Sequence, residues 1–186
     1  MNTKKILITG GAGFIGGNFV HYLINNYPDY KVYNLDALTY AGELSKHRGL
    51  EARDNYHFIE ADIANRHAIT SLFKQEKFDY VIHFAAESHV DRSITDPETF
   101  IRTNVLGTQV LLDATRESGI TKFVHISTDE VYGDLDFEST ALFTEDSPLK
   151  PNSPYSASKA SSDLLVRSYH QTYGLPVIIT RCTNNY

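Results

Sequence analysis

Four side chains of this sequence are suited to acid–base chemistry: the adjacent Asp129 and Glu130, and the pair Tyr155 and Lys159. Like charges placed side by side raise one another's pKa, so one carboxyl can stay a proton donor while its neighbour acts as a base. Residues four apart share a helix face, and a nearby ammonium favours the phenolate, which makes Tyr155 a candidate base. Together they suit an enzyme that oxidises and dehydrates. The alternatives are a solvated Asp-Glu turn and a solvated helix face.

These carboxylates must be positioned by a strand that ends just before them. The apolar run Phe123–Ile126 predicts a buried strand whose carboxyl end delivers Thr128, Asp129 and Glu130. Six such runs alternate with helical patterns, which predicts an α/β fold with a doubly wound, Rossmann-type parallel sheet and helices on both faces. Ligands bind such sheets at the carboxyl ends of the strands. The other runs are Ile6–Ile8, Val32–Leu35, His57–Ile59, Tyr80–Phe84 and Pro176–Ile179.

Helices are predicted between these runs. A long helix should follow Asp96 as cap and Pro97 in its first turn, and should end at Gly119. Gly133–Pro154 should form a long loop over the active face. Apolar spacing places two further helices, with core faces formed by Ile15, Phe19 and Leu23, and by Ile69, Leu72 and Phe73.

A glycine-rich turn, Thr9–Gly16, follows the first strand and opens the first helix. Gly10, Gly13 and Gly16 permit a tight turn and close approach to a pyrophosphate at the helix N-terminus. Asp36 ends the second strand, where a carboxylate binds ribose hydroxyls and repels a 2′-phosphate, so NAD is favoured over NADP. Asp62 and Ile63 are placed to meet the adenine, although Asp62 could equally cap the next helix.

Composition narrows the class of protein. The 186 residues, 41% of them hydrophobic, suit one domain, and a net charge of −6 without a basic run disfavours nucleic acid and anionic membranes as partners. The lone Cys182 and the lack of a long apolar stretch indicate a cytoplasmic protein. The eight histidines lack metal-site spacing, so no metal is expected, and His83 and His125 are interpreted as core residues with satisfied nitrogens.

The G-x-x-G-x-x-G spacing together with Tyr155-x-x-x-Lys159 resembles the extended short-chain dehydrogenase/reductase family. Within it, the chain is most similar to the dTDP-glucose 4,6-dehydratases. Thr128-Asp129-Glu130 is the discriminating element, because nucleotide-sugar 4-epimerases carry small or hydroxylic residues there, and GDP-mannose dehydratases carry Ser at the Asp129 position and prefer NADP. Four segments carry the similarity: Asp36–Gly42, Phe84–Ser93, Ser127–Gly133 and Arg181–Tyr186.

The resemblance implies roles for individual residues. Tyr155, oriented by Thr128, would take the proton of the sugar 4-hydroxyl as hydride leaves C4 for NAD. Glu130 would then remove the C5 proton while Asp129 protonates the departing 6-hydroxyl. Ser88, Thr128 and Asn184 would contact the nucleotide sugar. The implied NAD contacts are Phe14, Ile15, Asp36, Ala37, Leu38, Thr39, Asp62, Ile63, Phe84, Ala85, Ala86, Glu87, Ser88, Thr103, Tyr155, Lys159 and Asn185.

The resemblance also raises expectations for the whole molecule. The family continues beyond Tyr186 into a substrate domain, so residues 1–186 are expected to form an NAD(P)-binding domain with little activity alone, and its apolar surface near Val177–Ile179 would be exposed. A homodimer is expected through helices Thr99–Ser118 and Tyr155–Tyr173, with Leu111, Leu112, Leu164 and Leu165 as the candidate buried residues; the sequence leaves open which of these leucines faces the sheet rather than the partner. The alternatives are another epimerase or dehydratase of the family and a non-catalytic NAD-binding module. The thymidine base rests on resemblance alone.

Overall fold

A six-stranded parallel sheet organises the chain. The computed structural model describes residues 3–136, 138 and 140–185. The strands lie in the order β3-β2-β1-β4-β5-β6, so the sheet is doubly wound and the predicted fold class is confirmed. Tyr186, Phe137 and Ser139, which belong to predicted segments, lie outside the described residues. The strands are β1 Lys5–Thr9, β2 Lys31–Asp36, β3 Tyr56–Glu60, β4 Tyr80–His83, β5 Lys122–Thr128 and β6 Val177–Cys182.

Helices cover both faces of this sheet. One buried cluster joins the strands to α2, α5 and α6, and a second joins them to α1. The helices are α1 Phe14–Asn26, α2 Arg66–Gln75, α3 Val90–Thr95, α4 Pro97–Phe100, α5 Thr108–Ser118 and α6 Pro154–Tyr173; short 3₁₀ turns lie at Leu44–His47 and Asp129–Tyr132. None of the helices in the described part of the chain combines the length and the apolar character that crossing a membrane requires.

The helical stretch between Asp96 and Gly119, which follows α3, has the predicted ends. Asp96 caps α4, its carboxylate accepting hydrogen bonds from the Thr99 amide at 3.4 Å and the Thr99 hydroxyl at 2.7 Å. Gly119 ends α5 in the left-handed conformation, with φ of +65°. Between α4 and α5, Ile101–Gly107 is π-helical, a local widening that the sequence pattern does not predict.

Helix α6, which carries the Tyr155 and Lys159 pair, has strong signals at both ends. Ser153 and Ser156 form a reciprocal capping box, in which each side chain accepts a hydrogen bond from the other residue's amide. Gly174 ends the helix with φ of +70°. These caps fix where α6 starts, and therefore where its first two turns meet the sheet.

Two packing expectations are wrong, those for Ile15 and for the loop after Gly133, and the structure shows which of the four candidate leucines face the sheet. Ile15, predicted on the core face of α1, is 41% exposed, because Gly16, Val20 and Leu23 face the sheet instead. Leu111 and Leu112 are fully buried inside this chain, so they are not available to a partner, whereas Leu164 is 55% exposed. The loop after Gly133 packs Phe143 and Leu149 against Val131, Tyr132 and Ala160, and none of its described residues lines the cleft at the carboxyl ends of the strands.

Candidate active site

The glycine-rich turn joins β1 to α1 and packs tightly against the start of the loop after β4. Gly10 has φ of +74°, and a Cβ there would lie 2.5 Å from the Ala85 amide nitrogen. Among the described residues, no side chain caps the N-terminus of α1 and no acidic residue lies in its first turn. The exposed amides and the bare backbone therefore suit a negatively charged group such as a pyrophosphate.

Asp36 connects this turn to the loop that follows β2. The Ala12 amide donates to its Oδ2 at 2.9 Å and the Leu38 amide donates to its Oδ1 at 2.8 Å. Leu38 has φ of +50°, unusual for a branched side chain, and Gly42 packs beside the same carboxylate. The carboxylate is thus held in a fixed place at the end of β2, where a ribose hydroxyl could also reach it.

Asp62 does not cap α2. Asn65 caps that helix, because its side chain accepts the Ala68 amide at 3.2 Å. Asp62 instead accepts the Ala64 amide at 2.8 Å and pairs with Arg102 at 2.6 Å. The capping alternative for Asp62 is wrong, and its carboxylate is held at the rim of the cleft by a cation from the π-helical segment.

Tyr155 and Lys159 lie on one face of α6, as their spacing predicts. Both are buried, and both line the cleft. The Lys159 ammonium donates to the Ile126 carbonyl at 2.7 Å, which ties α6 to β5. Burial lowers the pKa of Lys159 to about 8, with the nearby Asp163 carboxylate opposing this shift.

The expected lowering of the Tyr155 pKa by Lys159 is not found. Burial and the Glu130 carboxylate raise the pKa of Tyr155 to about 12, and a hydrogen bond with the Thr128 side chain opposes the rise only in part. With a pKa of about 12 the phenol is protonated at neutral pH, and the Lys159 ammonium is directed at the Ile126 carbonyl.

The carboxylate pair follows β5 directly. The Thr128 hydroxyl lies 3.4 Å from Asp129 Oδ1 and accepts the Glu130 amide at 3.3 Å. Burial raises the pKa of Glu130, and the neighbouring Asp129 and Asp134 carboxylates raise it further. The carboxyl with the raised pKa is therefore Glu130, to which the resemblance gives the role of base rather than that of proton donor. Thr128 and Glu130 line the cleft, and Asp129 lies at its edge without lining it.

These elements surround one cleft of about 540 Å³ at the carboxyl ends of the strands. It brings together nearly all of the predicted ligand contacts; Leu38 is the predicted cofactor contact that does not line it. The predicted residues that do line it are Gly10, Gly13, Phe14, Ile15, Gly16, Asp36, Ala37, Thr39, Asp62, Ile63, Phe84, Ala85, Ala86, Glu87, Ser88, Thr103, Thr128, Glu130, Tyr155, Lys159, Asn184 and Asn185.

Two histidines, His83 and His125, are fully buried side by side in strands β4 and β5. His83 Nδ1 lies 2.7 Å from the Thr9 hydroxyl and its Nε2 lies 3.0 Å from the Thr108 hydroxyl, so both nitrogens are satisfied as predicted. His125 is satisfied only at Nε2, which lies 3.1 Å from the Ser162 hydroxyl, and its Nδ1 has no partner among the described residues. Burial lowers the pKa of His125 to about 4, so it is neutral at physiological pH.

The sequence signature of the GDP-mannose 4,6 dehydratase family matches residues 7–186. The chain belongs to the GDP-mannose 4,6 dehydratase family. A dTDP-glucose 4,6-dehydratase of Escherichia coli is 50% identical over 198 residues, covering 98% of this chain and 54% of the relative. The chain thus spans about half the length of the curated relatives it matches, and the predicted likeness to the N-terminal portion of such enzymes is confirmed.

Solved structures of relatives agree in fold. The crystal structure of DesIV, the dTDP-glucose 4,6-dehydratase of Streptomyces venezuelae with NAD and TYD bound, has a TM-score of 0.91 and 49% identity, covering 98% of this chain and 56% of that one. The UDP-glucose 4-epimerase of Thermus thermophilus in complex with NAD has a TM-score of 0.83 and 32% identity, covering 95% and 54%. Of these two relatives, the dehydratase is therefore more similar to this chain than the epimerase.

Sequence reasoning missed two charged residues that line the cleft and one buried residue that holds its walls together. Lys46 and Arg102 bring positive charge to the cleft, and neither belongs to a recognisable motif. Asn104, on the π-helical segment, exchanges hydrogen bonds with the Glu87 backbone, 2.9 Å each way, and donates to the Ser158 hydroxyl at 2.8 Å. It ties the loop after β4 to α6. A buried asparagine inside a helical pattern was the only signal for it.

Proposed function

We propose that the chain is the NAD-binding portion of a dTDP-glucose 4,6-dehydratase. Such a hydro-lyase oxidises C4 of the sugar, eliminates water across C5 and C6, and yields dTDP-4-dehydro-6-deoxy-glucose for deoxysugar and cell-surface polysaccharide synthesis. The observation that carries the proposal is the placement of Thr128 and Glu130 in the same cleft as Tyr155 and Lys159, beside the glycine-rich turn. Residues 1–186 then correspond to the cofactor domain.

NAD fits the residues of the cleft. The turn at Gly10 has no room for a side chain, the N-terminus of α1 is uncapped, and the fixed Asp36 carboxylate disfavours a 2′-phosphate. Thr103, Phe84 to Ser88 and Asn185 would hold the remainder of the cofactor. When bound, NAD accepts the hydride from C4 and later delivers it to C6.

The oxidation half-reaction is assigned to Tyr155, Lys159 and Thr128. Tyr155 receives the proton of the sugar 4-hydroxyl as the C4–H bond breaks, and Thr128 orients that hydroxyl. Because burial and the Glu130 carboxylate raise the pKa of the phenol to about 12, the phenol must ionise before it can act as a base. Lys159 fixes α6 through the Ile126 carbonyl and supplies the nearby positive charge.

The elimination is assigned to the carboxylate pair. The ketone at C4 acidifies the C5 proton, which moves to Glu130, a carboxylate whose pKa is raised by burial and by Asp129. The C6–O bond then breaks as Asp129 donates a proton to the leaving hydroxyl, which departs as water. Glu130 returns its proton to C5 when C6 receives hydride. Ser88, Thr128 and Asn184 would contact the nucleotide sugar.

Turnover by a matched pair of proteins tests this function. The purified chain, and a version that includes any coding sequence that follows residue 186, are incubated with dTDP-glucose and NAD while the alkaline absorbance of a 4-keto-6-deoxy sugar is followed. Product from the longer form supports the proposal. In that form, Asp129→Asn and Glu130→Gln should permit C4 oxidation and stall dehydration; unimpaired product from both would defeat the assignment.

Two alternatives make different predictions in the same experiment. A UDP-sugar 4-epimerase would invert C4 without eliminating water, and the fold likeness to the Thermus thermophilus epimerase is the observation in its favour. Asp129 and Glu130 argue against it. A non-catalytic NAD-binding module would bind NAD and form neither product in either version.

A homodimer is a further part of the proposal. Ile101, Leu106 and Leu164 leave exposed aliphatic surface on the π-helical segment and on α6, the two predicted helices, while Leu111 and Leu112 are buried within the chain. The interface is therefore expected to use the first three side chains. Sedimentation of the purified chain, with Leu164→Glu as the disrupting variant, tests this.

A further inference from the structure

Asp163 is a buried acid on α6 that the proposed reaction does not use. It lies one turn beyond Lys159, so Tyr155, Lys159 and Asp163 succeed one another along a single helix face. Only 1% of its side chain is exposed. The Arg181 Nε donates to its Oδ2 at 2.8 Å, and His125 Nε2 lies 3.3 Å from its Oδ1. Burial opposes ionisation of Asp163, but the neighbouring His125 and Arg181 side chains outweigh it and hold its pKa below the usual range.

Arg181 extends from β6 and bridges Asp163 to the segment that holds the carboxylate pair. Its Nη1 donates to the Tyr132 hydroxyl at 2.8 Å. Tyr132 ends the 3₁₀ turn that begins with Asp129 and Glu130. The Tyr132 ring is buried and stacks on Phe143 at 5.0 Å between centroids. One guanidinium thus joins α6, β6 and the turn after β5.

Other contacts also hold this turn, among them the Thr128 hydroxyl, which accepts the Glu130 amide at 3.3 Å, and the packing of the fully buried Val131. The Gly133 amide donates to the Glu130 carbonyl at 3.2 Å, and the Lys150 amide donates to the Val131 carbonyl at 2.9 Å. Val131 packs against Ala160 of α6. By contrast, α6 is fixed independently by its capping box and by the Lys159 bond to Ile126. Loosening Tyr132 should therefore displace Glu130 while leaving Tyr155 in place.

We propose that Asp163, Arg181 and Tyr132 form a positioning chain that sets the carboxylate pair at the correct distance from Tyr155. The inference rests on the proposed function, because it assigns the chain to the elimination half-reaction. None of the three residues is assigned a contact with the sugar or with NAD. Their effect is exerted through the turn at Asp129–Tyr132, whose placement decides whether Glu130 reaches the C5 proton.

Tyr132→Phe tests the chain by removing one hydroxyl and leaving the stacked ring. Tyr169→Phe is the matched control, because Tyr169 also lies buried and donates its hydroxyl to a carboxylate, Asp113 at 2.5 Å, but far from the cleft. Both variants are made in the version that includes any coding sequence after residue 186. The Tyr132 variant should dehydrate about tenfold more slowly while forming reduced nicotinamide at the wild-type rate.

Reduced nicotinamide, followed by its near-ultraviolet absorbance, should therefore accumulate in Tyr132→Phe and not in Tyr169→Phe. If both variants gave the same ratio of reduced nicotinamide to dehydrated product, the inference would be overturned. Arg181→Lys, which keeps the charge but not the two-directional geometry, should behave like Tyr132→Phe. If the wild-type protein forms no product, the proposed function fails, and the positioning chain is then judged by the following measurement on the chain itself.

Amide hydrogen exchange supplies that second measurement without turnover. The Gly133 and Lys150 amides bond to the turn, so their protection reports its order. Protection at both amides should fall in Tyr132→Phe and be unchanged in Tyr169→Phe at matched global stability. Unchanged protection in the Tyr132 variant would show that the turn does not depend on the hydrogen bond from Arg181 to the Tyr132 hydroxyl, and the inference would be wrong.

Discussion

Asp36 and Ala12 are joined by a hydrogen bond of 2.9 Å, through which the carboxylate at the end of β2 holds the turn that follows β1. The other carboxylate oxygen holds the Leu38 amide at 2.8 Å. The residue predicted to select NAD is therefore also a structural tie between two loops of the cleft. Replacing it should affect both the identity of the cofactor and the shape of the site.

Asp36→Asn should weaken NAD binding about tenfold and narrow the preference for NAD over NADP. The amide keeps one acceptor but directs an N–H group at a backbone N–H, and it no longer repels a 2′-phosphate. Calorimetric titration with both cofactors measures the change. Glu60→Gln is the control, because Glu60 lies opposite Asp36 in the sheet register at the end of β3. A wild-type preference in Asp36→Asn would contradict the assignment.

Gly10→Ala should abolish NAD binding and destabilise the fold. Its Cβ would lie 2.5 Å from the Ala85 amide nitrogen, and φ is +74°. Gly49→Ala is the matched control, since φ there is +89° but no atom lies within 4 Å of the added carbon. In Gly49→Ala the free energy of unfolding should fall only by about 1–2 kcal/mol, the amount that a left-handed backbone costs a residue with a side chain. Thermal unfolding and NAD titration of both variants distinguish the steric clash with Ala85, which only Gly10→Ala has, from the backbone strain that both variants share.

Lys159 should make stability rise with pH in the alkaline range. Its pKa in the folded chain is about 8, below the ordinary value of 10.5, so between these values the unfolded chain binds more protons. The cost of burying the ammonium is fully present below pH 8 and is relieved as the pH approaches 10.5. This cost to the free energy of unfolding is on the order of 3 kcal/mol. Lys159→Met should remove this dependence in urea unfolding, whereas Lys31→Met, at an exposed lysine, should preserve it.

A contact between Tyr40 and Arg92 should slow the release of NAD. The Arg92 guanidinium lies 3.8 Å from the Tyr40 ring centroid, joining the loop after β2 to the helix that follows the loop after β4. Such exposed cation–π contacts contribute about 0.5–1 kcal/mol. Tyr40→Leu should therefore release NAD about two- to fivefold faster. Tyr173→Leu, which removes the Arg116 contact at 4.6 Å, is the control; equal rates in both variants would contradict the prediction.

The sequence predicted those features that depend on short-range pattern. Alternating apolar runs located all six strands, and the glycine spacing and Tyr155-x-x-x-Lys159 located the cleft. The raised pKa of Tyr155 could not be predicted, because it depends on how deeply the phenol is buried and on the nearby Glu130 carboxylate. Spacing also placed Ile15 on the wrong face, since glycines rather than large side chains let α1 approach the sheet.

Contacts between segments that are distant in the sequence could not be predicted either. Arg181 lies 18 residues from Asp163 and 49 from Tyr132, and each of the three residues belongs to a different element, so periodicity within one helix or strand could not pair them. The role of Asn104 depends on a π-helical turn, which differs from an α-helix by one residue in its hydrogen bonding and leaves no mark on apolar periodicity. Such arrangements follow from tertiary packing, and local propensity does not encode them.

The position of β4 between β1 and β5 constrains how the protein is made on the ribosome. Strands β1, β2 and β3 can pair as soon as they emerge, but the other edge of β1 must wait for Tyr80–His83. At roughly 5–20 residues per second, that edge is open for a period on the order of seconds. During this interval the nascent chain presents an unpaired strand that chaperones or neighbouring nascent chains can bind. NAD cannot assist at this stage, because one wall of its site has not yet been translated.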